Sequence, residues 1–114
     1  MTVSEIARLI DGTVVCGYDM LSHEVEYACA SDLMSDVLTL HTTNSLLITG
    51  LCNLQTVRTA EFSDINCVVI ARNKKVSQEM IDLANENGLV IIECSYSVFK
   101  TSGILYSAGI KPEY

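Results

Sequence analysis

Three short clusters carry the polar groups that could hold a ligand. They are Thr49, Gly50 and Asn53; Arg72, Asn73, Lys74 and Lys75; and Ser95, Tyr96 and Ser97. Each follows an apolar run of strand length, at 45–50, 67–72 and 89–94. Gly50 would let a ligand approach the backbone closely. The free N–H groups at the helix starts that follow such runs attract anions. Arg72, Lys74 and Lys75 form the chain's basic cluster, so a nucleotide or another phosphorylated metabolite is one expected ligand, with Thr49, Gly50, Asn53, Arg72, Lys74, Ser95 and Tyr96 as its contacts. The plainer reading gives Asn53, Ser77 and Ser97 to helix capping and the lysines to a solvated loop.

Other chemistries find little support. No Gly-x-Gly-x-x-Gly follows a strand, and no Gly-Lys-Ser/Thr is present, so the usual NAD and ATP sites are not expected. His23 and His41 lack a nucleophile at a strand-end elbow, which leaves no triad. Asp32 and Asp36 lie one helical turn apart near a helix start, where a carboxyl pKa falls; that suits capping better than acid catalysis. Five scattered cysteines, Cys16, Cys29, Cys52, Cys67 and Cys94, show no two-residue spacing, so reduced thiols are expected, with no metal and no cofactor. Cys52 stands apart, in the loop after the first core run. Arg58 could pair with Glu61, with Asp32 or Asp36, or with a partner chain, and these three residues (Arg58, Asp32, Asp36) are the expected interface. No catalytic residue emerges, and the chain reads as a non-enzyme.

The elements that must position these groups follow from length and pattern. The 114 residues suit one domain, and a 49% hydrophobic composition builds a core easily. A net charge of −7 with 7 Lys plus Arg disfavours nucleic acid. No apolar run approaches the ~20 residues of a membrane span, and no signal peptide opens the chain, so a cytoplasmic protein is expected. Thr2 and Glu5 have capping-box spacing ahead of Val3, Ile6, Leu9 and Ile10, with Gly12 as the stop. A short strand spans 13–16. Residues 23–31 alternate as a half-buried strand, with Val25, Tyr27 and Cys29 on one face. Ser31 or Asp32 then caps a short helix that turns Leu33, Met34, Val37, Leu38 and His41 towards the core. Three strand–helix units follow, the last helix carrying Val98, Ser102, Leu105 and Tyr106, and the tail 110–114 is expected to fray. Strands alternating with helices predict a single α/β domain over 1–114, with a mixed or mainly parallel sheet flanked by helices on both faces.

Leu46-Leu47-Ile48-Thr49-Gly50-Leu51-Cys52-Asn53, then Val68-Val69-Ile70-Ala71-Arg72-Asn73-Lys74-Lys75, resemble the DRTGG domain family. Ile81-Asp82-Leu83-Ala84, Tyr96-Ser97-Val98-Phe99 and the opening stretch 6–15 extend the likeness over nearly the whole chain. The resemblance implies a fold similar to the N-terminal domains of HPr kinase/phosphorylase and of the Mur ligases. It also implies a regulatory or protein-interaction role, with paired domains common, hence a homodimer. Both loops that name the family differ here. Gly50-Leu51-Cys52 stands where many members carry Gly-Asp-Arg, and Ala71-Arg72-Asn73 where they carry Thr-Gly-Gly. No catalytic residue carries over.

Overall fold

The computed structural model describes residues 1–40 and 43–114. The chain begins with α1 (Val3–Leu9), then β1 (Thr13–Cys16), β2 (Tyr27–Ala30), α2 (Met34–Val37), β3 (Ser45–Thr49), α3 (Leu54–Phe62) and β4 (Cys67–Ile70). It ends with α4 (Gln78–Glu86), β5 (Val90–Glu93), α5 (Val98–Ser107) and β6 (Lys111–Pro112). The six strands form one sheet in the order β1-β5-β4-β3-β2-β6. β2, β3, β4, β5 and β6 run parallel; β1 alone pairs antiparallel, on β5.

Strands β2 to β5 step across the sheet in one direction. Right-handed crossovers therefore put α2, α3 and α4 on one face. α5 returns across the other face to β6 at the far edge, beside α1. Because both faces are covered, β3 and β4 are buried at every position and read as unbroken apolar runs. Within them the pleat divides the core: Leu46, Ile48, Val69 and Ile92 meet α1 and α5, while Leu47, Val68, Ile70 and Ile91 meet the other three helices.

Local signals set most boundaries. Thr2 and Glu5 form the expected reciprocal capping box, and the side chains of Asn53, Ser77 and Ser97 accept from the third helical N–H of α3, α4 and α5. Gly88 takes the left-handed conformation after α4 (φ 65°).

Five expectations need correction. After α1 the left-handed residue is Asp11 (φ 52°), not Gly12. Gly12 is required by closeness instead, since a Cβ there would lie 2.6 Å from Ile92 Cγ2. Strand β2 is shorter than 23–31, and its alternation breaks because Glu26 and Tyr27 both donate to the Asn44 carbonyl. That irregularity sends Val25 and Cys29 into opposite halves of the core. α2 has no side-chain cap: Leu33 holds the N-cap position, Ser31 Oγ accepts from Leu33 N–H, and Asp32 turns elsewhere. Leu33 and Leu38 are exposed, and His41 lies outside the described residues. In α5, for which the sequence marks no buried side, Thr101 and Leu105 are buried, Ser102 is half-buried and Tyr106 is exposed. Finally, the tail does not fray, because Lys111 N–H donates to the Glu26 carbonyl, Glu113 N–H to that of Ala28, and Ile110 is buried. The Ser45 hydroxyl also bonds the Glu113 carboxylate.

Candidate functional site

Four parallel strands deliver their C-terminal ends to one rim. The Asp32, Gly50, Arg72 and Cys94 loops lie there side by side, and the start of β1 joins them because Thr13 pairs with Glu93. The common rim expected from the sequence is therefore built, and such rims are where open α/β sheets bind ligands.

The groups on it are turned largely toward one another. Asp32 leaves the end of β2 and accepts from Thr49 Oγ1 at 2.9 Å and from Gly50 N–H at 2.7 Å. Thr49 Oγ1 accepts in turn from Leu51 N–H. Arg72 brings its guanidinium to 3.8 Å from Asp32 Oδ2, and both side chains are about half exposed. The bond from Gly50 is the main cause that holds the Asp32 carboxyl below its ordinary range; the Thr49 hydroxyl and Arg72 act in the same direction, against partial burial. Asp32 thus fills the anion position at the Gly50 amide with a group of the chain's own. Gly50 itself is needed for Arg72, since a Cβ at Gly50 would lie 2.6 Å from Arg72 Cδ.

The second loop is held in an unusual shape. Arg72 (φ 70°) and Asn73 (φ 58°) are both left-handed. Their consecutive N–H groups clamp the β5 exit, Arg72 donating to the Tyr96 carbonyl at 2.8 Å and Asn73 to that of Cys94 at 3.0 Å. These bonds sustain a conformation that non-glycine residues seldom adopt.

Around the β5 exit, Glu93 accepts from Val76 N–H at 2.8 Å and stands 3.6 Å from Lys75 Nζ. A polar hollow of about 100 Å³ opens there, lined by Asp11, Thr13, Asn73, Lys74, Lys75, Glu93, Cys94 and Ser95. Lys74 and Ser95 are exposed. Tyr96 is half-buried, with the Lys100 ammonium 3.8 Å from its ring centroid. Asn53 caps α3 through its side-chain oxygen. Of the expected contacts, Thr49, Gly50, Arg72, Lys74, Ser95 and Tyr96 gather on the rim, and Thr49 is fully buried. Arg58 and Asp36 are exposed, and among the described residues Arg58 has no ion pair; Asp32 pairs with Arg72 instead. Asp11 and Glu93 are rim residues that sequence reasoning missed. A charge ending the apolar strand run next after a lysine pair was the available signal for Glu93.

Cys52 Sγ lies 3.4 Å from the Lys75 carbonyl, and its pKa is raised, first by burial and then by Glu93. Burial pushes Cys29 up to about 11 and Cys67 up to about 12. These thiols stay protonated at neutral pH, which is the opposite of an activated nucleophile.

A family model for the DRTGG domain matches residues 5–108. The chain belongs to the DRTGG domain family. Comparison with curated proteins finds no match. Among solved structures the domain is similar to the CBS and DRTGG domains of the regulatory region of Clostridium perfringens pyrophosphatase, complexed there with its activator, diadenosine tetraphosphate. The TM-score is 0.76 at 11% identity, over 91% of this chain and 45% of that one. The DRTGG domain described here thus spans under half of that structure's length, and the likeness is one of fold. In the 71–73 loop two residues with side chains, Arg72 and Asn73, adopt dihedrals that suit glycine.

Two expected results follow from this geometry. Asn73→Gly should stabilise the DRTGG domain by roughly 0.5–1 kcal/mol, because left-handed strain is relieved while both clamping bonds are kept; the urea midpoint reads this directly. Asp32→Asn should cost about 1 kcal/mol at neutral pH, the value for charge-assisted bonds reduced for a half-exposed group. Because the folded pKa of Asp32 lies below its ordinary 3.8, the carboxylate stabilises the fold above that value. Its contribution fades as pH falls below 3.8 through the lowered folded value. The amide of the variant does not titrate and has no such dependence. The wild-type advantage should therefore disappear in acid melts, and a pH-independent difference would contradict the assignment.

Proposed function

We propose that this DRTGG domain is a non-catalytic regulatory or protein-interaction module that works as a cytoplasmic homodimer. The observation that supports it best is the self-pairing of the rim: Arg72 is met by Asp32 and Lys75 by Glu93. Two of the three cations that would hold a phosphate are engaged within the chain, on a molecule whose net charge already repels polyanions. A rim closed in this way fastens four strand exits together and leaves recognition to other surfaces. Light scattering tests the reading. A mass rising with concentration toward twice the 12.5 kDa of one chain is expected, and 12.5 kDa throughout contradicts it.

A second reading has its own support. The regulatory region that shares this fold was solved with a nucleotide activator. A nucleotide or other phosphorylated metabolite would here meet Arg72, Lys74 and Ser95 after displacing Asp32 from the Gly50 amide. Thermal-shift titration separates the two readings, since ligand at 100 times its dissociation constant adds about 2.7 kcal/mol. A shift abolished by Arg72→Ala supports the sensor. No shift with diadenosine polyphosphates or mononucleotides removes it.

A further inference from the structure

We infer that the exposed face of α5, with the groove beside β2, is the surface on which a second copy of this chain docks. The inference rests on the homodimer reading above and names its surface. Phe99, Ser102, Gly103 and Tyr106 fall at i, i+3, i+4 and i+7, one stripe of the helix. Phe99 is 88% and Tyr106 68% exposed, unusual for rings on a packed helix. Between them stands Gly103, in mid-helix, where glycine is unfavourable relative to alanine. Nothing among the described residues asks for it: a Cβ there would find open space. The reason for a bare backbone at that point lies outside the protomer. Next to it, an apolar groove of about 100 Å³ runs between α5 and the β2–β6 edge, with Ala30, Ile48, Leu105, Tyr106 and Pro112 among its walls. Ser102 Oγ, also on the groove, is buried without a hydrogen-bond partner among the described residues.

Three observations make the occupant another copy of this chain. The first is charge. None of the 14 acidic residues lies between positions 94 and 112, whereas Lys100 and Lys111 do. A chain of net charge −7 repels its own copies over most approaches, and that repulsion is weakest along α5, which carries no acidic residue; Glu113 stands at the β2 end of the groove. Lys100 is drawn back over Tyr96, clear of the stripe's centre. The second is shape. A protruding ring and a groove of the order of cavities that take benzene sit on one face, so a two-fold axis lets each Phe99 enter the partner's groove. The third is area. Phe99 and Tyr106 alone present roughly 300 Å², an apolar centre for the roughly 800 Å² per partner of a standard interface.

Sedimentation of the full chain and single variants tests the surface. Phe99→Glu, which removes an exposed ring and leaves the core intact, should raise the dimer dissociation constant at least a hundredfold. Gly103→Gln, with a better helix former, should raise it at least tenfold while melting no lower than wild type. Phe62→Glu, at a 79% exposed ring on α3, should change it less than threefold. A dimer that all three variants leave intact overturns this surface and leaves the homodimer standing. A wild type monomeric at every concentration overturns both.

Discussion

Gly17→Ala is expected to destabilise the domain by about 3–4 kcal/mol, roughly a quarter or more of the stability of an ordinary domain. Two penalties coincide at this residue. Its φ of 78° is left-handed, which costs an alanine roughly 1–2 kcal/mol. The new Cβ would also lie 2.9 Å from the Leu89 carbonyl oxygen and 2.9 Å from Val90 Cα. Both are backbone atoms at the entry to β5, so relief requires a strand to move, and overpacking of that kind costs typically about 1–3 kcal/mol. Gly12 provides the contrast: its φ is ordinary, and its nearest obstacle is a side-chain atom, Ile92 Cγ2, so only the steric penalty applies there. Urea unfolding should show a lowered midpoint for Gly17→Ala with an unchanged slope. A loss below about 1 kcal/mol would mean that the β1–β5 corner yields more readily than its geometry indicates.

Leu47→Ala should cost about 3–4 kcal/mol, inside the range measured for buried leucines. Leu47 is fully buried in β3, a central strand, paired to Cys29 on one side and Val68 on the other. It packs within the cluster formed with α2, α3 and α4, including Val57, Ala60 and Met80. A central parallel strand cannot slide to refill the space without breaking two ladders, so little of the cavity should collapse. The unfolding midpoint again gives the measurement, and a cost near that of simple transfer, about 2 kcal/mol, would show that α3 or α4 moves inward.

Reading the sequence succeeded where the determining forces are local. Unbroken runs such as Leu46-Leu47-Ile48 announce strands buried on both faces, and caps at Thr2, Asn53, Ser77 and Ser97 mark helix starts through bonds made three residues away. Asp32 shows where that approach ends. A carboxylate just ahead of a helix carries the same local signature whether it caps or not. Only the pairing of Ala30 with Ile48 brings it beside Thr49 and Gly50, whose two donors hold it more firmly than its own helix would. The tail is a similar case. Lys111 and Pro112 have no strand pattern of their own and are ordered by the free edge of β2. In α5 apolar residues surround the helix (Val98, Phe99, Ile104, Leu105, Tyr106), so no stripe in the sequence marks the side that Thr101 and Leu105 bury. That failure of amphipathicity coincides with the face inferred to meet a second copy, where being apolar on the outside serves association.

Two features carry the proposed role: a rim closed by its own ion pairs, and contact made through α5. Amide hydrogen exchange at micromolar and at submillimolar protein, compared peptide by peptide, tests both in one measurement. Protection that grows with concentration across 99–106, with no change across 49–53 and 71–76, is the predicted result. Exchange independent of concentration along α5, or protection that grows at the rim instead, would contradict it.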